Sequence, residues 1–142
     1  MMFERNMTKI VLSGKTYPIR CNMLVLEKIQ DKYQNMSEFE NKLTGFRPSR
    51  NPDGTIKKNE DGLQIGITGV PDIQILNDAL TWMLNEGAQE GAGEEISREE
   101  AARLVDISPG ELGEKLHEEF TRCFERKNTQ ATQNQKMPEK KE

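Results

Sequence analysis

Hydrophobic positions in the first part of the chain alternate in a way that is typical of β-strands. Residues 8–12 and 15–20, TKIVL and KTYPIR, alternate apolar and polar side chains on either side of Ser13-Gly14. This pattern predicts a β-hairpin with one buried face. Pro18 has no N–H to donate to a ladder, so the second strand is expected at an edge of the sheet.

Two helices are predicted after the hairpin. Residues 23–33 place their apolar side chains on one arc, and Asn22 before them is a residue type that commonly caps helix N-termini. Ser37 and Glu40 have the spacing of a capping box, and the short helix that they open is expected to end near Gly45.

The widest apolar surface of the chain is predicted at residues 71–86, PDIQILNDALTWMLNE. At about 100° per residue, its apolar side chains span an arc of about 200°, roughly twice what a surface helix needs. This width favours a central helix that is sandwiched between other elements. If packing is incomplete at one margin of the arc, the helix would also offer a binding surface. The candidate partner-binding residues are Ile75, Ala79, Trp82 and Met83.

Two polar segments flank this helix. Residues 46–69 are rich in Gly and contain two Asp-Gly turn signals, which predict either a second hairpin or a mobile loop that protrudes from the domain. Residues 86–95, EGAQEGAGEE, have the composition of a flexible linker.

The last part of the chain predicts two capped helices and a tail. Ser97 and Glu100 form a second capping-box pattern, and Ser108 before Pro109 is a third helix start. The sequence after Arg126 has too little apolar surface to order itself. We therefore expect an α+β fold, mainly α, with an N-terminal β-hairpin packed on about five helices. The expected organisation is a single domain at 1–127, with a protruding loop or second hairpin at 46–69 and a disordered C-terminal tail at 128–142.

The charge of the chain is unevenly distributed. Residues 1–70 carry eleven Lys and Arg against eight Asp and Glu, whereas residues 71–127 carry six against fourteen. An acidic second half disfavours a nucleic-acid platform, which needs clustered cations. Residues 97–116 predict a capped helix, a short break and a second capped helix, which is the arrangement of a helix-turn-helix. However, Glu111 and Glu114 occupy positions that would face DNA phosphates. An acidic helix-turn-helix regulator is therefore an alternative function.

Signals of enzymatic chemistry are nearly absent. The one histidine, His117, has no nucleophile at a neighbouring helical position, and no nucleotide, hydrolase or metalloprotease motif occurs. Cys21 and Cys123 lack metal-ligand spacing and are expected as free thiols in a reducing compartment. No apolar run has membrane-spanning length, and the N-terminus has no secretory pattern. We expect no catalytic residue, cofactor, metal, membrane or nucleic-acid partner.

One stretch resembles a known family. The run IVLSGKTYPIR at residues 10–20, followed by LEKI at 26–29 and DKY at 31–33, resembles the opening of the tail assembly chaperones of long-tailed phages and prophages, mainly of Gram-positive hosts. The resemblance implies a non-enzymatic chaperone that binds the tape measure protein and helps recruit tail tube subunits during tail morphogenesis. Such a protein acts in the host cytoplasm and is absent from the mature virion. Self-association is left open, and a structural tail or head–tail component is a further alternative.

Overall fold

The N-terminal hairpin forms where the alternating pattern predicts it. The computed structural model describes the backbone of residues 7–91 and 93–132 and the side chains as far as Cys123. Strands β1 (Thr8–Leu12) and β2 (Lys15–Ile19) pair antiparallel, and both residues of the Ser13-Gly14 turn have positive φ. The inward-facing side chains of Ile10, Leu12 and Ile19 are buried.

Helices α1 (Met23–Tyr33) and α2 (Met36–Thr44) follow the hairpin. The Asn22 side chain accepts a hydrogen bond from the Val25 N–H, as predicted for a cap. The predicted cap of α2 at Ser37 is wrong, because the side chain of Asn35 accepts from the Glu38 N–H and starts the helix earlier. Gly45 ends α2 in the left-handed conformation, as expected.

The central helix α3 spans Ile73–Gly91 and packs against β2 and the other four helices. The sandwich that its wide apolar arc predicts is confirmed. The helix continues five residues beyond Glu86 into the segment predicted to be a flexible linker. Contacts with the hairpin region hold this extension: the Asn22 amide donates to Glu86 at 2.9 Å, and Arg20 pairs with Glu90 at 3.2 Å.

Helices α4 (Arg98–Leu104) and α5 (Pro109–Thr132) complete the fold. Both halves of the predicted capping box between Ser97 and Glu100 are present, and Ser108 accepts from the Glu111 N–H. The backbone is helical to Thr132. Residues 133–142, the rest of the predicted tail, lie outside the described residues.

The buried apolar side chains form one hydrophobic cluster, to which the hairpin and all five helices contribute. The fold is therefore α+β and mainly helical, with an N-terminal hairpin packed on five helices, as the sequence predicts. None of the described helices combines the length and apolarity that crossing a membrane requires.

A buried carboxylate, Asp78, ties three helices together. Its oxygens accept hydrogen bonds from Lys32 at 2.7 Å, Tyr33 at 2.5 Å and Arg98 at 2.7 Å, which joins α3 to α1 and to the start of α4. Burial alone would raise the pKa of Asp78, but the three hydrogen bonds outweigh it and hold the pKa below its ordinary value. The ionised form is therefore the one built into the fold.

A second buried carboxylate, Glu119, connects α5 to the end of the hairpin. It accepts from the Cys21 N–H at 2.7 Å and pairs with Arg122 one turn along the helix. The Cys21 thiol is buried beside Cys123, and burial is the first cause that raises its pKa. Both cysteines are free, as predicted. A thiol whose pKa is raised in this way is a poor nucleophile.

Candidate interaction surface

The predicted partner-binding residues are mostly inside the core. Ile75 is 2% exposed, and Ala79 and Met83 are fully buried. The expectation of incomplete packing at that margin of α3 is wrong for these residues, because the hairpin and the neighbouring helices cover both sides of the helix. Trp82 is half-buried against the core and is the one candidate that retains exposed surface. Its role in partner binding stays a prediction.

The exposed apolar side chains are concentrated elsewhere, on the segment that precedes α3. Phe46–Pro48 (β3) and Gly66–Thr68 (β4) pair antiparallel, and the chain between them folds into a hydrogen-bonded projection. We call residues 46–69 the β-arm. Of the two predicted alternatives, the structure has the hydrogen-bonded form, with an additional pair of strands at its base that the sequence analysis did not predict.

The β-arm is built on a repeat of eight residues. The Ser49 N–H donates to the Ile65 carbonyl, the Ile65 N–H to Lys57, and the Lys57 N–H back to Ser49, at 2.7, 3.0 and 2.8 Å. Three extended stretches thus meet in a closed triangle of backbone hydrogen bonds. The same spacing is present in the sequence, where Asn51-Pro52-Asp53-Gly54 and Asn59-Glu60-Asp61-Gly62 are eight residues apart.

These two related sequences form turns of the same geometry. In each turn, the asparagine carbonyl accepts a hydrogen bond from the N–H of the glycine three residues later. The asparagine N–H donates to the carbonyl of the residue that follows this glycine, Thr55 or Leu63. Gly54 and Gly62 have φ values of 92° and 82°, a conformation that disfavours residues with a Cβ. The turns therefore fix the register of the β-arm locally.

One face of the β-arm, which we call the inner face, lines a groove against α2. Residues paired across an antiparallel ladder point to the same side. Arg50 is paired with Ile56, and both residues line this groove together with Gln64. The volume of the groove is about 700 Å³. Its other wall comes from α2 and carries both Glu38 and Lys42. With Arg47 and Asp72 also in the lining, three cations and two carboxylates share the groove, so its charge is mixed.

The opposite face, the outer face, is an exposed apolar row. Leu63, Ile65 and Ile67 alternate with groove-lining positions along the last stretch of the β-arm, and their exposed fractions are 63%, 40% and 69%. Val70, which lines the groove, and Ile73, at the start of α3, are also exposed, with exposed fractions of 64% and 50%. Contiguous apolar surface of this kind marks interaction sites more often than isolated exposed residues do.

Cations flank the outer face. Arg47 is the cross-strand partner of Ile67, and its guanidinium lies beside Gly69. Lys57 is hydrogen-bonded through its backbone to Ile65 and alternates with Ile56 of the inner face, so it too belongs to the outer face. The carboxylates of the β-arm, Asp53, Glu60 and Asp61, are confined to the two turns. The charged residues at strand positions of the outer face are therefore cations.

A second groove, of about 560 Å³, lies between β2 and the segment after α3. Leu84 and Ile96 contribute apolar surface to its lining, and Glu94, Glu95 and Glu100 contribute carboxylates. The Asn85 side chain holds the wall of this groove in place, since it accepts from the Ile96 N–H and donates to the Ile96 carbonyl. The three glutamates outnumber the one lysine of the lining, Lys15, so the net charge of this groove is opposite to that of the outer face.

The described residues do not form a site with recognisable catalytic geometry. His117 is half-buried, and its Nε2 lies 2.7 Å from a Glu40 carboxylate oxygen, which joins α2 to α5. It stacks on Phe120 rather than facing a hydroxyl or a thiol. Among the residues described, no group of three or more His, Cys, Asp or Glu side chains is arranged to hold a metal ion.

The helix-turn-helix segment is present as a pair of helices, α4 and α5, but its chemistry is unlike that of a DNA reader. Glu111 and Glu114 are exposed on the first turns of α5. Arg98, at the start of α4, is engaged by Asp78. Carboxylates at the helix that would enter the major groove repel phosphates.

Comparison with known protein families, with curated proteins and with solved structures finds no match for this chain.

Proposed function

We propose that this protein is a non-enzymatic tail assembly chaperone that binds the tape measure protein during phage tail morphogenesis. The observation that carries the proposal is the contiguous exposed apolar surface of the β-arm, at Leu63, Ile65 and Ile67, on a domain whose core is otherwise closed. A chaperone for a long, aggregation-prone client needs apolar surface that is not buried in its own fold. The resemblance of residues 10–33 to such chaperones supplies the identity of the client.

The arrangement also suits reversible binding. The apolar row lies on a projection held by local turns and backbone hydrogen bonds, so a client can bind it without opening the hydrophobic cluster. Recruitment of tail tube subunits would use a second surface, and the acidic groove beside β2 is available for a basic partner. The proposed location is the cytoplasm of the host cell.

Co-expression tests the proposed function. A tape measure protein gene from the same genome is expressed alone and together with this chain, and the soluble fraction is analysed by affinity purification. We expect the client to be insoluble alone and to co-purify with the chaperone when both are made. If the client stays insoluble and never co-purifies, the proposal fails. Detection of this protein in purified virions would instead favour a structural tail component.

A further inference from the structure

The charge pattern of the β-arm specifies the kind of segment that its outer face accepts. We propose that the outer face binds an acidic amphipathic segment of another protein, with apolar side chains seated on Leu63, Ile65 and Ile67 and carboxylates facing Arg47 and Lys57. This inference rests on the proposed function in one respect, because it identifies the bound segment as part of the client. The surface itself is argued from the β-arm alone.

The apolar part of the argument comes from the spacing of the row. Leu63, Ile65 and Ile67 occupy every second position of one extended stretch, so their side chains stand in line. A partner must therefore present a matching apolar stripe, as an amphipathic helix or strand does. The exposed fraction of Ile67, 69%, is the largest of the three, which makes it the first anchor to test.

The electrostatic part comes from the separation of charge within the β-arm. Arg47 is paired with Ile67 of the outer face and also reaches the groove, whereas Lys57 alternates with the groove-lining Ile56; both side chains are exposed. Neither has a carboxylate at an adjacent strand position, because Asp53, Glu60 and Asp61 belong to the turns. Asp53 is in addition occupied by hydrogen bonds from the Thr55 N–H and hydroxyl. Complementarity thus favours a partner with carboxylates beside its apolar stripe.

The other described surfaces differ from this one. Met23 and Leu24 are 74% and 53% exposed, but they are consecutive residues of α1 and so do not share one line. The inner groove mixes two carboxylates with three cations, and the groove beside β2 has three glutamates against one lysine. Val11 on β1 is 57% exposed, but its inward neighbours are buried and no second exposed apolar side chain lies beside it on the strand. Val11 therefore provides a matched control for Ile67: both are β-branched, exposed and on strands.

Binding of designed peptides tests the inference. The full chain is titrated into a fluorescein-labelled peptide made of three repeats of the heptad Leu-Glu-Glu-Leu-Leu-Glu-Glu, and fluorescence polarisation is recorded. The comparison peptide has Lys at every Glu position. We expect the acidic peptide to bind, the basic peptide to bind much more weakly, and added salt to weaken the acidic complex.

Substitutions locate the site. Ile67→Glu should weaken binding of the acidic peptide about tenfold or more, because it removes an apolar anchor and adds a repelling charge. Val11→Glu should leave the affinity unchanged. Lys57→Glu should also weaken binding, whereas Lys9→Glu, an exposed lysine on β1, should have little effect. Far-UV circular dichroism and the thermal midpoint of each variant establish that it is folded.

Three outcomes would overturn the inference. The first is equal binding of the acidic and basic peptides, and the second is wild-type affinity in the Ile67→Glu variant. The third is a concentration-dependent dimer in sedimentation that Ile67→Glu abolishes, since this would assign the face to a second copy of the chain. If the peptides fail but the client still co-purifies, the chaperone function stands and only the site is wrong. If the peptides bind as expected but the client is not held, the function fails and the site stands.

Discussion

At the scale of single residues, Asp78 is the buried charge on which the packing of three helices depends. Its three donors come from α1 and α4, whereas Asp78 itself lies on α3. Lys32 and Arg98 remain 42% and 43% exposed, so they can return to water if the carboxylate is removed. The Tyr33 hydroxyl would lose its acceptor, and burial together with this hydrogen bond already raises the pKa of Tyr33.

Asp78→Asn should therefore lower the free energy of unfolding at neutral pH by about 1–3 kcal/mol, the range for a lost buried charged hydrogen-bond partner. Urea unfolding measures the change. Asp31→Asn makes the same chemical substitution at an exposed position of α1 and should change stability by less than about 0.5 kcal/mol. Equal effects at the two positions would refute a special role for Asp78.

The same substitution should be sensitive to pH. Because the folded pKa of Asp78 lies below its ordinary value, its ionised form stabilises the fold above about pH 4, the unfolded value. That contribution is lost as the pH falls through the folded pKa. The difference in unfolding free energy between wild type and Asp78→Asn should thus shrink between pH 7 and pH 3. A difference that stays constant over this range would contradict the assignment.

At the scale of elements, α3 illustrates how tertiary contact overrides local composition. Gly87 and the residues around it predict a linker, yet the helix runs through them to Gly91. Glycine weakens a helix interior, but a Cβ at Gly87 would lie 2.1 Å from the Pro18 carbonyl oxygen. Only glycine lets α3 approach β2 this closely, so the residue that suggested a flexible linker marks a packing contact.

Gly87→Ala should destabilise the protein by about 1–3 kcal/mol, because backbone atoms of β2 must move to admit the methyl group. Gly110→Ala is the matched control on α5, where a Cβ would meet nothing within 4 Å. That substitution should be neutral or stabilising by up to about 1 kcal/mol. Thermal and urea unfolding compare the two variants, and a Gly87→Ala protein as stable as wild type would show that the contact is loose.

The elements that the sequence predicts well are those with local signals. Asn22, Ser97 and Ser108 cap their helices as expected, and Ser13-Gly14 forms the hairpin turn. The extent of α3 and the strands at the base of the β-arm depend on contacts between residues distant in sequence. The eight-residue repeat was visible in the paired Asn-x-Asp-Gly turns, and it is the signal that could have revealed the β-arm.

For the candidate site, too, the sequence predicts the features that depend on local pattern and misses those that depend on distant contacts. The wide arc of α3 correctly indicates a helix packed on both sides, and for that reason Ile75, Ala79 and Met83 are not available to a partner. Apolar residues at helical spacing indicate a buried face more often than a binding surface. The sequence pattern does not reveal the exposed row of the β-arm, because its residues lie among Gly, Asp and Asn. In addition, the outer face exists only once the three stretches have paired.

At the scale of the whole molecule, the protein combines a closed helical core with a projecting apolar surface. The hydrophobic cluster takes in the hairpin and all five helices, whereas the outer face of the β-arm lies apart from it. Two exposed surfaces differ in charge: the outer face carries Arg47 and Lys57, whereas three glutamates outnumber one lysine in the groove beside β2.

Hydrogen exchange of the protein with and without its client tests the central claim most directly, since it reports which backbone segment the client covers. On addition of the proposed client, a tape measure protein, we expect slower exchange at residues 63–68 and unchanged exchange at Thr8–Leu12. A bound client that leaves residues 63–68 unchanged, or that protects the segment around Trp82 instead, would contradict the assignment of the β-arm as the binding surface.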